Sequence, residues 1–187
     1  VIMAAIDLIV LGMLHKDSMS AYDLQKLVEY RNISKWVKIS TPSIYKKVLQ
    51  LEEKGLVTSH IEKEGKMPEK AVYALTDAGI DEFERLMFEI SAKPISILLD
   101  FNAVIVNLEH LSKKNQQKCL AQIEDNVKAL KSSIEENVLQ KEKNTEIPEA
   151  GKAVLRQQLA LAEAVETWIA ALKSDFAARS DRRRDGN

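Results

Sequence analysis

The stretch from Thr41 to Leu75 restricts the fold more than any other part of the chain. Thr41 before Pro42 puts a hydroxyl at a helix N-cap and a proline at the first helical position, where its missing N–H costs nothing and its fixed φ suits a helix. Ile44, Val48 and Leu51 recur at helical spacing as an inward face, and Gly55 ends the element as a left-handed C-cap. Ser43, Lys46, Lys47 and Gln50 are then left on the opposite side, which reads as polar, basic and free of carboxylates. Two short β-like runs follow, LVTSHIE and KAVYAL, around a charged loop, KEGKMPE, in which Gly65 and Pro68 supply turn chemistry.

Two helices precede this unit. Ile6, Ile9, Val10, Met13 and Leu14 repeat at three- and four-residue intervals, so the first fifteen residues read as an amphipathic helix. The run VIMAAIDLIVLGML is apolar enough to imitate a secretion signal, but it lacks a basic leading region and Asp7 interrupts it. Ser20 opens S-A-Y-D as a capping-box-like start, with Asp23 at the third helical position, for a helix reaching about Tyr30. Thr76-Asp77 caps a further helix carrying Ile80, Phe83, Leu86, Met87 and Ile90, and Lys93-Pro94 marks its end. The order helix, helix, helix, hairpin predicts an N-terminal winged helix-turn-helix over residues 3–92 with a small β-hairpin wing.

Beyond Pro94 turn residues almost vanish. Three helical patterns are expected over residues 95–178: Ile97 to Leu111, then Leu120 to Ile134 at near-heptad spacing, then a stretch from Pro148 that holds Leu155, Leu159, Val165, Ile169 and Phe176. Apolar stripes with no sheet to cover must bury against one another or a second chain, so this half reads as a long-helix dimerisation domain. RSDRRRDGN, residues 179–187, reads as a flexible tail. The scarcity of Gly (6) and Pro (4) in 187 residues, with 5% aromatics, agrees with a mostly α fold.

The inventory of reactive groups argues against catalysis. His15, His60 and His110 fall in no metal-ligand spacing, and nucleophile-elbow, P-loop and dinucleotide motifs are missing from the sequence, so no catalytic residue, metal or cofactor is expected. Cys119 reads as a helix-packing residue, and one cysteine cannot form an internal disulfide, which with no apolar run of about 18 residues predicts a cytoplasmic protein.

A net charge of −1 gives no general attraction to nucleic acid, but from Tyr30 to Gln50 the basic residues Arg31, Lys35, Lys38, Lys46 and Lys47 stand without an acidic neighbour. A helix that reads DNA needs side chains reaching base edges and cations for phosphates. Ser43, Lys46, Lys47 and Gln50 meet the first need, while Lys38, Ser40, Thr41 and the amides of the helix start suit a phosphate. Lys63, Lys66 and Lys70 extend the surface onto the wing, diluted by Glu62, Glu64 and Glu69. An ordinary solvated helix face is the competing reading of these lysines. Tyr45 either packs on the wing with its hydroxyl on a phosphate or is a half-buried packing residue.

LGML (11–14), SAYD (20–23), Trp36, STPSIY (40–45), LEEKGLV (51–57) and VYALTDAG (72–79) together resemble the PadR family of transcriptional regulators, and the likeness covers most of residues 4–90. FNAVIVNL near 101 and a Trp-bearing last helix resemble the longer PadR subgroup, whose C-terminal helices dimerise. The resemblance implies a homodimer on a pseudo-palindromic double-stranded operator, usually a repressor and sometimes released by a small effector, with 41–54 as the reading helix and 58–73 as the wing. It also directs attention to Trp168 as an effector-lining residue, set against a packing role for the same indole. Trp36 is expected to anchor the loop before the reading helix. The chain departs from the family's usual pattern at Lys46, Ala21 and the wing tract Gly65-Lys66-Met67-Pro68. A winged-helix scaffold that binds protein partners instead of DNA is the alternative function.

Overall fold

Leu11, Leu24, Ile44 and Leu51 are each fully buried at the centre of one cluster, which brings together the three helices that precede the hairpin. They belong to the first of two units, Val1–Ser96 and Ile97–Asn187, in a computed structural model that describes residues 2–37, 43–63, 69–145 and 147–182. Helix α1 spans Ile2–Leu14, α2 Ala21–Tyr30 and α3 Ser43–Glu53. Each fully buried leucine or isoleucine of this kind contributes about 1.5–3 kcal/mol relative to exposure, which makes the shared cluster the main source of the unit's stability.

Short local devices set where the elements begin and end. The Ser20 hydroxyl accepts from the Asp23 N–H at 3.2 Å and donates to the Asp23 carboxylate at 2.7 Å, so the cap of α2 closes on itself. Gly55 has φ of 71°, and the amides of Gly55 and Leu56 donate to the carbonyls of Glu52 and Leu51 at 2.8 and 3.0 Å, a Schellman ending for α3. Leu56 turns the chain directly into β2.

The sheet has three antiparallel strands in the order β1, β3, β2, with β1 Met19–Ser20, β2 Val57–Glu62 and β3 Lys70–Leu75. Val57 pairs with Leu75 and Glu62 with Lys70, so the hairpin is in register along its length, and Met19 pairs with Tyr73. The sequence reading missed β1, whose two residues are too short to show an alternation. Thr76 caps α4, Asp77–Ser91, by accepting from Gly79 N–H at 3.1 Å, and its hydroxyl donates to the Gly55 carbonyl at 2.7 Å. One threonine thereby ties the end of α3 to the start of α4. Phe83 and Leu86 then lay α4 along α1, with the Phe83 and His15 rings 5.3 Å apart.

In the second unit the long helices are α6, Lys113–Glu142, and α7, Glu149–Arg182. They run antiparallel: Glu124 meets Lys173, Lys131 meets Glu166 at 2.8 Å, and Lys152 donates to the Glu142 carbonyl at 2.8 Å. The last contact places a buried cation on the C-terminal carbonyl end of α6, where the helix dipole favours it. The backbone of α7 continues to Arg182, past Arg179 where the sequence placed the start of a flexible tail, because Ala177, Ala178 and Arg179 are good helix formers.

The expectation of a continuous helix from Ile97 to Leu111 is corrected. Residues 94–99 are irregular, α5 covers only Asn102–Ile105, and Leu108–His110 form a single 3-10 turn. Ile97 is 61% exposed whereas Leu108 is fully buried, so the apolar spacing there does not mark one face of one helix. Pro94 withholds an N–H, and Asp100, Asn102 and Asn107 compete for backbone hydrogen bonds, which favours turns. Leu108 joins Leu120, Ile123, Val127 and Ile169 in the core of this unit, with Phe101, Cys119, Val165 and Phe176 packed around it.

Candidate nucleic-acid interface

Among the described residues, helix α3 packs on the core along one side. Ile44, Val48 and Leu51 are fully buried against α1 and α2, while Tyr45 is 59% exposed, Lys46 is exposed and Gln50 is half-buried. With about 100° of turn per residue counted from Ile44, Leu49, Glu53, Lys46 and Gln50 stand at roughly 140°, 180°, 200° and 240°. These four residues form the outward face of the helix. Among the described residues no carboxylate pairs with Lys46, leaving its ammonium directed to solvent.

Lys47 does not belong to that face, and its placement there is corrected. Its position near 300° lies beside Leu51, not beside Lys46. The side chain is 5% exposed, and its Nζ sits 2.7 Å from Oδ1 of Asp7 on α1, itself 14% exposed. Neither atom has a further hydrogen-bond partner, and their contact is not aligned as a hydrogen bond, so the pair is held by charge. Lysine's long stem lies along the apolar interior while the ammonium meets a carboxylate there, which removes it from the set available to a ligand. Asp7 carried a signal of this arrangement: a carboxylate in an otherwise apolar helix requires a cation nearby.

Glu53 is a second correction to the expected carboxylate-free surface. It is exposed on the outward line one turn beyond Leu49, at the C-terminal end of α3. The outward face of α3 is therefore cationic at its N-terminal half and acidic at its last turn. Sequence reasoning also passed over Leu49, 36% exposed, because an apolar residue in an amphipathic helix is assigned inward by default.

The sheet supports the helix from its flank. Glu52 accepts from the Ser59 hydroxyl of β2 at 2.5 Å, and its charge together with that of Tyr45 adds to burial in raising the Tyr73 hydroxyl above its ordinary pKa, burial being the largest cause. Tyr45 itself is largely exposed. On the wing, Lys63 faces Glu69 at 3.5 Å, Lys70 lies 3.8 Å from Asp23, and His60 contacts Glu62 at 2.7 Å. These pairings dilute the wing's positive charge.

Lys38, Ser40, Thr41 and Lys66 lie outside the described residues, as does the side chain of Ser43, whose backbone opens α3. Trp36 packs half-buried against the first core. Trp168 is in the second unit, 40% exposed, its ring stacked on Phe101 at 5.9 Å between centroids and 23° between planes. Among the described residues there is no group of three or more His, Cys, Asp or Glu placed to hold a metal ion, and no helix is long and apolar enough to cross a membrane.

Residues 10–85 match the model of the transcriptional regulator PadR-like family. No curated protein matches the sequence. Among solved structures, the chain is similar to Bacillus subtilis PadR in complex with operator DNA, with 21% identity, TM-score 0.75, and coverage of 92% of this chain and 99% of that one. It is likewise similar to Bacillus subtilis PadR in complex with p-coumaric acid, at 18% identity, TM-score 0.77 and coverage of 94% and 97%. The Vibrio cholerae virulence activator AphA matches at 19% identity, TM-score 0.69 and coverage of 93% and 99%. At these identities the structural likeness speaks for the fold, a winged helix followed by a helical region, and the family match covers the part of the chain that holds α3 and the hairpin. Residues 10–85 of this protein are therefore similar to the transcriptional regulator PadR-like family, and the chain has the winged-helix fold of the solved structures.

Proposed function

We propose that the protein is a DNA-binding transcriptional repressor that acts as a homodimer on a pseudo-palindromic operator, and is not an enzyme. The observation that carries this reading is the one-sided anchoring of α3: aliphatic residues and Lys47 hold it to the core, and Tyr45, Lys46, Leu49 and Gln50 project from it. A helix supported in that way enters a major groove without rearrangement, with the wing beside it for the neighbouring backbone. That Bacillus subtilis PadR, of the same fold, has been solved with operator DNA supports the assignment.

Dimerisation is assigned to the helical unit. Leu130 and Leu139 on α6 and Leu161 and Trp168 on α7 are 56%, 75%, 39% and 40% exposed, apolar surface that a second copy would cover. A small effector acting near Trp168 is part of the proposal, supported by the indole's partial exposure and by p-coumaric acid bound to the Bacillus subtilis protein. Equilibrium binding of the full chain to the DNA upstream of its own gene, followed across a salt series, tests the main claim. A dimer by sedimentation that retards this DNA at moderate salt supports it.

The alternative scaffold reading draws on one observation, the pairing of wing lysine Lys63 with Glu69, which weakens the attraction of the wing for phosphate. A folded dimer that fails to retard DNA even at low salt would favour it.

A further inference from the structure

We propose that Leu49 reads thymine: its side chain meets the C5-methyl group of a thymine in the major groove and sets a T·A preference at one base pair of each half-site. The inference rests on the regulator reading above and adds to it the base chemistry that α3 recognises.

Leu49 is the aliphatic residue of α3 that the fold leaves partly exposed. Ile44, Val48 and Leu51 are fully buried, whereas Leu49 is 36% exposed and stands at the edge of the outward face nearer Tyr45, with Lys46 one turn before it and Glu53 one turn after it. Leucine has neither donor nor acceptor, so it forms no hydrogen bond with any base edge. The apolar group that the major groove displays is the thymine methyl. Against guanine, cytosine or adenine the same leucine would cover polar edge atoms without partnering them, which carries a desolvation penalty. The residue therefore discriminates twice, by contact with one base and by leaving the others unsatisfied.

Its surroundings favour a groove over a protein partner. Leu49 has the exposed Tyr45 and Lys46 on the turn before it and Glu53 on the turn after it, so the exposed apolar surface is limited to this leucine and the Tyr45 ring, too little to seed an apolar docking patch. The Lys46 ammonium on the adjacent turn adds attraction to the phosphate backbone and brings the leucine into the groove.

The test uses duplexes selected from a random library by the full-length protein, resynthesised with deoxyuridine replacing one thymine at a time. Uracil keeps every hydrogen-bonding group of thymine and lacks only the methyl. At one thymine per half-site, uracil is expected to weaken wild-type binding about fourfold, the effect of exposing one buried methyl. Leu49→Ala should bind the thymine duplex more weakly and bind the two duplexes alike. Selected sites without thymine, uracil duplexes bound as tightly as thymine duplexes at every position, or a Leu49→Ala protein that keeps the uracil penalty would each overturn the assignment. A protein that enriches no sequence and retards no duplex at low salt would overturn the regulator reading itself, a result distinct from methyl-indifferent binding.

Discussion

The ammonium of Lys47 and the carboxylate of Asp7 meet at 2.7 Å inside the first unit, joining α3 to the first helix α1 by a charge pair that water scarcely reaches. Two charges taken out of water recover that cost only through each other, so the pair is worth little as a unit and a great deal as two halves. Removing either partner leaves an uncompensated interior charge.

Lys47→Met and Asp7→Asn should therefore each destabilise the protein by about 3–5 kcal/mol, while the double change Asp7→Leu with Lys47→Met should be near neutral or stabilising. Urea unfolding of the three variants measures this directly. A single Lys47 substitution with a loss under 1 kcal/mol would show that the ammonium is solvated.

The two neighbouring lysines should separate in their salt dependence. Lys46→Ala should lower the slope of log affinity against log salt by about 0.9, the signature of one lost phosphate contact. Lys47→Met should leave that slope unchanged even where affinity falls, because its charge is already neutralised by Asp7. Titrations of one duplex at several salt concentrations decide between them.

Gly79 is required by space. A Cβ built there would lie 2.0 Å from the Leu56 carbonyl oxygen, where the start of α4 crosses the turn between α3 and β2. Gly79→Ala should cost at least about 1–3 kcal/mol through forced displacement of that crossing. Gly151, in the first turn of α7, meets nothing closer than the Ile147 methyl at 3.6 Å, so Gly151→Ala should instead stabilise by about 0.4–1 kcal/mol. Thermal melts should move in opposite directions for the two alanines.

The helical unit should weaken at both ends of the pH range. Lys173 first, and then Lys128, hold the Glu124 carboxyl below its ordinary value of 4.5, so the stability it contributes is full above that value and is lost as pH falls through the lowered one. Glu166 raises Lys131 and Glu124 raises Lys128 above 10.5; that contribution is full below 10.5 and is lost as pH rises through the raised values. Glu124→Gln should flatten part of the acid limb and lower mid-range melting only slightly, since these pairs are part-exposed. Circular dichroism melts from pH 3 to pH 11 would show it.

Local chemistry was legible in the sequence wherever one residue and its near neighbours carry the information. Ser20, Thr76 and Gly55 announce helix ends because a hydroxyl or a left-handed backbone serves amides and carbonyls only three or four positions away. The run from Ile97 to Leu111 was misread for a related reason: apolar spacing is compatible with a helix, but it does not say whether Asp100, Asn102 and Asn107 will take the backbone's hydrogen bonds first.

By itself, then, the sequence determined a helix-rich chain with a capped third helix, a hairpin after it and a second set of long helices, since periodicity and capping act over one or two turns. Tertiary structure alone decided what each side of α3 meets. Lys46 and Lys47 are adjacent and chemically identical; helical spacing turns Lys47 toward the core, and Asp7, forty positions earlier in the chain, is brought within reach to neutralise it there. The same packing leaves Leu49 uncovered, because α1, α2 and the sheet occupy the sides of α3 and none crosses its outer line.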